Sequence, residues 1–150
     1  YFIQKTESVM QMLEELIQSG FGNDEDYNCA EKILYGANKA YNMGLSYEDL
    51  KLSAGFGGGA AVGELCGALC GAIMVLSHYC VDDVAHKSPE LKPAIQELLA
   101  DYEAEMGSIR CTELKEKYRT PEKKCFVVID TAARLLDKKI AKLETNRQKS

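Results

Sequence analysis

Hydrophobic residues recur along this chain with the spacing of α-helices rather than of β-strands. Near the N-terminus they fall at positions i, i+3, i+4, i+7 and i+8, which form one stripe on a helix: Val9, Met12, Leu13, Leu16 and Ile17. No segment shows the alternation of apolar and polar residues that is typical of a half-buried strand. The pattern therefore predicts an all-α fold, a compact bundle of five to seven helices in one domain over residues 1–150.

Capping residues predict the boundaries of the next two helices. A second helix is expected from near Asp26 to about Tyr41. Ser46, followed three residues later by Asp49, resembles a capping box, which opens a short helix that ends at Gly55.

Two Ser/Thr-Pro-Glu sequences mark the starts of later helices, because each supplies an N-cap, a proline at the first helical position and an acid in the first turn. Ser88-Pro89-Glu90 opens a helix that ends near Gly107, and Thr120-Pro121-Glu122 opens the last helix. Between them, Thr112 to Tyr118 is predicted to form a short helix or turn.

The most apolar stretch, Ala60 to Leu76, predicts a buried central helix from about Ala61 to Val81. Gly63, Gly67 and Gly71 recur every four residues and leave one face of this helix bare, so that another backbone or a cofactor can approach it closely. The stretch is seventeen residues long and is interrupted by a glutamate. A membrane span needs about twenty apolar residues with anchoring flanks, so no span is expected.

The glycine-rich segment Gly55 to Ala60 matches the G-x-G-x-x-A pattern of dinucleotide-binding loops. That motif requires a preceding strand, whereas a helix is predicted here, and no Gly-Lys-Ser/Thr ending is present to make it a P-loop. We interpret the segment as a tight turn between packed helices. An anion nest at the start of the following helix is the alternative.

Composition narrows the classes of protein to which the chain can belong. The chain is 46% hydrophobic and 27% charged, an ordinary globular composition, and its net charge is −5. An acidic domain is a poor nucleic-acid binder, because phosphate contacts need clustered Lys and Arg, so no nucleic-acid partner is expected. The basic residues from Lys138 to Lys149 are interpreted as a solvated helix end rather than an anion patch. The N-terminal segment lacks signal-peptide features, and a cytoplasmic location is expected unless a leader has been removed ahead of Tyr1.

The cysteines carry the main functional signal, since a domain with a full-sized core does not need disulfides. The sequence contains Cys29, Cys66, Cys70, Cys80, Cys111 and Cys125. Cys29, Cys111 and Cys125 lie near predicted helix starts, where the helix dipole and neighbouring cations stabilise a thiolate. Cys66 and Cys70 are four residues apart on one helix face, with Cβ atoms ~5–6 Å apart. An unstrained disulfide needs ~3.5–4.5 Å, but the pair can bind one metal or cluster.

For His78 and Cys80 the structural interpretation is preferred over a chemical role. His78, one of two histidines, is taken as a core or surface residue, with a metal ligand or proton carrier as the alternative. Cys80 is taken as a small buried hydrophobe.

Several segments together resemble a known family. Cys66-Gly67-Ala68-Leu69-Cys70-Gly71 is similar to the central signature of the redox-active proteins named for their C_GCAxxG_C_C pattern. Asn28-Cys29-Ala30-Glu31 and the Phe56 to Gly59 loop resemble the upstream region, and Gly107 to Leu114 resembles the region of the third cysteine. Cys125 corresponds to the fourth cysteine of the family pattern. The resemblance extends over about residues 25 to 137 and implies redox activity. A similar domain occurs joined to multihaem cytochromes, where it is associated with an iron–sulfur centre.

The resemblance suggests that Cys29, Cys66, Cys111 and Cys125 converge in a pocket roughly 7 Å across at the glycine-rich face. They are then the predicted catalytic and metal-binding residues, with Gly67, Gly71 and Cys70 bordering the cofactor. An iron–sulfur cluster is the leading cofactor, and zinc is the alternative metal. The intervals of 37, 45 and 14 residues between the four match neither a zinc ribbon nor a ferredoxin, so spacing does not choose the metal.

Two other functions stay open at this level. One is a metal-free dithiol/disulfide oxidoreductase that uses the same four cysteines, which then form one or two disulfides. The other is a non-catalytic helical module. The expected partner is an electron-transfer or transporter-associated protein, and a homo-oligomer is a further option.

Overall fold

A computed structural model describes residues 12–149, and this part of the chain is α-helical. It forms seven α-helices: α1 Leu13–Gln18, α2 Cys29–Ala40, α3 Tyr47–Leu50, α4 Gly67–Cys80, α5 Leu91–Met106, α6 Cys111–Tyr118 and α7 Phe126–Lys149. Residues 12–149 contain isolated bridge pairs but no β-strand. The predicted all-α class and the predicted number of helices are therefore confirmed. Val9, the first residue of the N-terminal stripe, lies outside the described residues.

The central position of α4 follows from its sequence, which is apolar on all sides. The helix packs against α2, α5 and α7. Five of its side chains are completely buried: Ala68, Leu69, Ala72, Val75 and Leu76. None of the helices in residues 12–149 is both long enough and apolar enough to cross a membrane.

A buried carboxylate attaches α1 to α7. Asp137 accepts hydrogen bonds from the backbone N–H groups of Leu13 (2.8 Å) and Glu14 (3.0 Å) and from the hydroxyl of Tyr41 (2.5 Å). These bonds satisfy backbone donors at the start of α1 that have no partner within the helix. Burial raises the pKa of the Asp137 carboxyl, and the three hydrogen bonds oppose that rise.

The predicted start of the central helix at Ala61 is wrong, because α4 begins at Gly67. Residues 59–63 form a π-helical turn in which Ala60 and Ala61 have left-handed backbone, with φ of 57° and 64°. Gly63, at φ +76°, belongs to this turn and not to the bare helix face. The residues after this turn are extended, and Leu65 forms a bridge with Arg110, just before α6. This pairing with a distant segment keeps the residues before Gly67 out of the helix.

Three other predicted helix starts also move toward the C-terminus. The cap of α2 is Asn28 instead of Asp26, whose φ of +60° is not helical. Asn28 and Glu31 form a reciprocal capping box, with N···O distances of 3.0 and 2.8 Å. The hydroxyl of Ser88 donates to a carbonyl of the preceding turn, and α5 begins at Leu91 without a side-chain cap.

The Thr120-Pro121-Glu122 sequence forms a tight turn and does not open the last helix. Thr120 and Lys124 exchange two backbone hydrogen bonds, of 2.7 and 3.1 Å, and α7 begins only at Phe126. The Ser46–Asp49 capping box and the end of α5 at Gly107 are as predicted.

Candidate functional site

Four of the six cysteines lie at the N-termini of four different helices. Cys29 and Cys111 are the first residues of α2 and α6, and Cys66 and Cys125 immediately precede α4 and α7. The predicted placement of Cys29, Cys111 and Cys125 near helix starts is confirmed. Cys66, predicted inside a helix, is also at a helix start. Backbone N–H groups and the helix dipole make each of these positions favourable for negative charge.

These four cysteines line a single pocket with a volume of about 770 Å³. Four segments that are far apart in the sequence therefore border one pocket. The other residues of the wall come mainly from the loops before α2 and α7 and from the first turns of α2, α6 and α7. The lining also includes Tyr27, Asn28, Gly67, Leu114, Phe126, Val128 and Ile129.

Backbone pairing holds Cys66 close to Cys111. The N–H of Cys66 donates to the carbonyl of Ile109 at 2.9 Å, and the N–H of Cys111 donates to the carbonyl of Glu64 at 2.6 Å. A Cβ on Gly59 would lie 2.6 Å from the Cβ of Cys111, so only a glycine fits there. The glycine-rich turn thus packs directly against Cys111.

Glycines on α4 allow Cys29 to approach the same region. A Cβ on Gly67 would overlap Cys29 Sγ and would lie 2.7 Å from the carbonyl oxygen of Phe56. A Cβ on Gly71 would lie 2.8 Å from the carbonyl oxygen of Ala30. The predicted close approach of another backbone to this face is confirmed for both glycines. Gly67 lines the pocket, whereas Gly71 contacts α2.

The four cysteines differ in burial. Cys66 and Cys111 are 3% and 7% exposed, while Cys29 and Cys125 are half-buried. Burial raises the pKa of Cys66 to about 12, helped by the neighbouring Cys29 and opposed by backbone N–H groups of α4. Burial likewise raises the pKa of Cys111, against the opposing charge of Lys115. Cys66 and Cys111 are therefore neutral thiols near pH 7.

The pocket wall is basic, although the chain is acidic. Five cations and two carboxylates line it, a net charge of +3, whereas the whole chain carries −5. The cations are Lys32, Lys115, Arg119, Lys123 and Lys124, and the carboxylates are Asp26 and Glu122. Arg119 Nη1 donates to Cys125 Sγ at 3.4 Å. Sequence analysis missed this basic lining, and the only available signal was the Lys123-Lys124 pair next to Cys125.

The remaining predicted residues lie away from the pocket wall. Cys70 is buried in the first turn of α4, where its Sγ lies 3.8 Å from the carbonyl oxygen of Leu65. Cys80 is buried at the opposite end of α4. His78 is exposed, with its ring edge-on to Tyr79, which agrees with the interpretation as a surface histidine.

All six cysteines are free thiols, so the disulfides that a metal-free site was expected to contain are not formed. Among residues 12–149, no group of three or more His, Cys, Asp or Glu side chains is arranged to hold a single metal ion. The four cysteines thus share a pocket without forming the compact set that one ion requires.

Comparison with known proteins gives one match. The family described as "Putative redox-active protein (C_GCAxxG_C_C)" matches this chain over residues 27–139, most of its length. Searches of the curated proteins and of the solved structures gave no match.

Proposed function

The chain belongs to the C_GCAxxG_C_C family of redox-active proteins, and from that premise we propose that it transfers electrons through an iron–sulfur cluster. The ligands are Cys29, Cys66, Cys111 and Cys125. One observation carries the proposal: four cysteines from four separate chain segments line one pocket. Four cysteine thiolates are the usual ligand set of [2Fe–2S] and [4Fe–4S] clusters.

The electrostatics of the pocket support an anionic centre of this kind. Four thiolates carry a charge of about −4, and a [2Fe–2S] core of +2 leaves a net charge of about −2. The side chains of the wall supply +3, and four helix N-termini add partial positive charge. Such a cluster gains and loses single electrons at a potential set by the charge, hydrogen bonds and burial around it.

A cluster and a single ion make different demands on the spacing of the ligands. A tetrahedral zinc site brings four sulfurs to about 2.3 Å from one atom, which requires a compact set of ligands. The described cysteines do not form such a set, although all four border the same space. A group of several metal and sulfide atoms reaches ligands that are further apart, and the volume of about 770 Å³ is ample for it.

The protonation of the two buried thiols affects how a cluster would assemble in the pocket. Cys66 and Cys111 have raised pKa values, so both are neutral in the metal-free chain and must lose a proton when they bind metal. The half-buried Cys29 and Cys125 form the more accessible side of the site. We therefore place electron exchange with a partner protein at that side.

Anaerobic reconstitution tests the proposal. The chain is incubated with ferrous iron and sulfide, and visible absorption and electron paramagnetic resonance are recorded. Single Cys→Ser variants of the four ligands should lose the cluster or change its spectrum. Cys80→Ser is the matched control, because Cys80 is buried on α4 at the end away from the pocket. A chain that assembles no cluster, or a Cys80→Ser variant as impaired as the others, contradicts the proposal.

A metal-free dithiol oxidoreductase is the second candidate, and the contact between Arg119 and Cys125 favours it. The guanidinium of Arg119 donates a hydrogen bond to the sulfur of Cys125, and this half-buried sulfur is accessible enough to meet a substrate disulfide. In this reaction Cys125 attacks a substrate disulfide, and a second pocket cysteine closes an intramolecular disulfide. The substrate gains two electrons and two protons and leaves as two thiols. Counting free thiols before and after exposure to a model disulfide distinguishes this reaction from cluster binding. A chain that fails both assays is a non-catalytic module.

A further inference from the structure

Arg110 joins the two chain segments that carry Cys66 and Cys111. Its guanidinium contacts Glu64 Oε1 at 3.1 Å, two residues before Cys66, and Glu113 Oε1 at 3.5 Å in the first turn of α6. Because a guanidinium is planar and has five donors, one side chain can bind both carboxylates at once. Arg110 immediately precedes Cys111, so its contact with Glu64 crosses from one cysteine segment to the other.

Two hydroxyl groups complete this connection. Ser108 is buried, and its Oγ donates to Glu113 Oε2 at 2.5 Å and accepts from the backbone N–H of Arg110 at 3.0 Å. The hydroxyl of Thr112 donates across the same gap to the carbonyl of Gly63 at 3.0 Å. Since the Glu113 carboxylate is already held by Ser108, its pairing with the guanidinium costs less side-chain entropy than pairing with a mobile partner.

The backbone pairing between the two segments is too short to hold them together alone. It consists of one isolated bridge, between Leu65 and Arg110, and two hydrogen bonds from the N–H groups of Cys66 and Cys111. Even a complete two-stranded hairpin is only marginally stable in water, and here no tight turn joins the two segments. The pairing therefore needs side-chain contacts, and those of Arg110 lie directly beside it.

From these contacts we infer that Arg110 is a positioning residue, which sets the spacing of Cys66 and Cys111 and keeps both thiols buried. Its importance for a metal centre rests on the proposed cluster, whereas the connection itself is present in the metal-free chain. The side chains of Arg110, Glu64 and Glu113 are 50%, 60% and 51% exposed. Ion pairs as exposed as these contribute little to overall stability, so variants of Arg110 should fold and change the site selectively.

Alkylation of the metal-free chain tests this role without any cluster. The labelling rates of the Cys66 and Cys80 peptides are measured together by mass spectrometry, and the ratio of the two rates is the readout. Both thiols are buried, but Cys80 lies at the opposite end of α4. Arg110→Gln should raise the ratio about fivefold, the effect of two ordinary ion pairs on a local opening equilibrium. A loss of overall stability would raise both rates together and leave the ratio unchanged.

Arg134→Gln is the matched control. Arg134 on α7 also forms a half-exposed ion pair with a distant segment, through Glu105 on α5, and neither residue lines the pocket. This variant should leave the labelling ratio unchanged. Glu64→Gln should raise the ratio, and its effect should not add to that of Arg110→Gln, because both variants remove the same contact. A ratio that Arg110→Gln does not change, or that Arg134→Gln raises equally, overturns the inference.

The reconstituted chain separates this result from the cluster proposal. With a cluster bound, Arg110→Gln should release iron to EDTA about fivefold faster than the unmodified chain and change the electron paramagnetic resonance spectrum, and Arg134→Gln should do neither. If no cluster assembles but the labelling ratio rises as expected, only the cofactor is wrong, and Arg110 still positions the two cysteines. If the cluster assembles and neither the ratio nor the iron release responds to Arg110→Gln, only the positioning role is wrong.

Discussion

Gly67 lies so close to Cys29 that a side chain at residue 67 would overlap the Cys29 sulfur. This contact joins the start of α4 to the start of α2, and it explains why the CGAxxG segment needs a glycine after its cysteine. The packing of α2 against α4 and the position of the sulfur in the pocket therefore depend on the same residue.

Replacing Gly67 with leucine should destabilise the fold by about 1–3 kcal/mol, the usual cost of overpacking. The new side chain meets Cys29 Sγ and the Phe56 carbonyl oxygen, and the backbone atom cannot move aside cheaply. Urea denaturation of the metal-free chain measures the change. Gly55→Ala is the matched control, because a Cβ there has no atom within 4 Å. A Gly67→Leu variant as stable as Gly55→Ala would mean that α2 and α4 are further apart at this point.

Cys66 should ionise only at strongly alkaline pH in the folded chain. Burial raises its pKa to about 12, whereas an unfolded cysteine ionises near 8.5. Since the unfolded chain loses this proton first, the contribution of Cys66 to stability is complete below pH ~8.5 and declines as pH rises toward 12.

Alkylation followed by mass spectrometry measures this shift directly. The rate at which the Cys66 peptide is labelled should still increase above pH 9 in native protein, because thiolate is the reactive form. In urea-denatured protein the same peptide should reach its plateau near the ordinary cysteine pKa, about 8.5. Identical pH profiles in the two states would show that Cys66 is not buried.

Lys124→Gly should raise stability by roughly 1 kcal/mol, since left-handed backbone costs a residue with a side chain about 1–2 kcal/mol and glycine much less. Lys124 has a φ of +51°. Lys123→Gly, in the same turn without a positive φ, should be neutral or destabilising. Thermal unfolding compares the two, and a larger gain for Lys123→Gly would contradict the assigned turn.

The helical spacing of hydrophobic residues was sufficient to predict the fold class, the number of helices and the central position of the glycine-rich segment. It was insufficient at residues 59–66, because the pairing of Cys66 with Ile109 and of Cys111 with Glu64 joins segments more than forty residues apart. Similarly, Thr120-Pro121-Glu122 has the composition of a helix start, but its hydrogen bonds to Lys123 and Lys124 close a turn first.

In the candidate site, as in the fold, the features set by neighbouring residues were predictable, and those formed by distant segments were not. The predicted helix starts lay within a few residues of Cys29, Cys111 and Cys125, although Asp26 and Thr120 are not the observed caps. The basic wall was not predictable, since Lys32, Lys115 and Arg119 lie in a sequence whose net charge is acidic and meet only after folding.

The central claim is that Cys29, Cys66, Cys111 and Cys125 hold one iron–sulfur cluster, and chemical analysis of anaerobically purified protein tests it most directly. Iron and acid-labile sulfide are quantified per chain in the unmodified protein, in Cys66→Ser and in Cys80→Ser. We predict equal amounts of iron and sulfide in the unmodified protein and in Cys80→Ser, and loss of both in Cys66→Ser. Iron without sulfide, or iron and sulfide contents unaffected by Cys66→Ser, would contradict the claim.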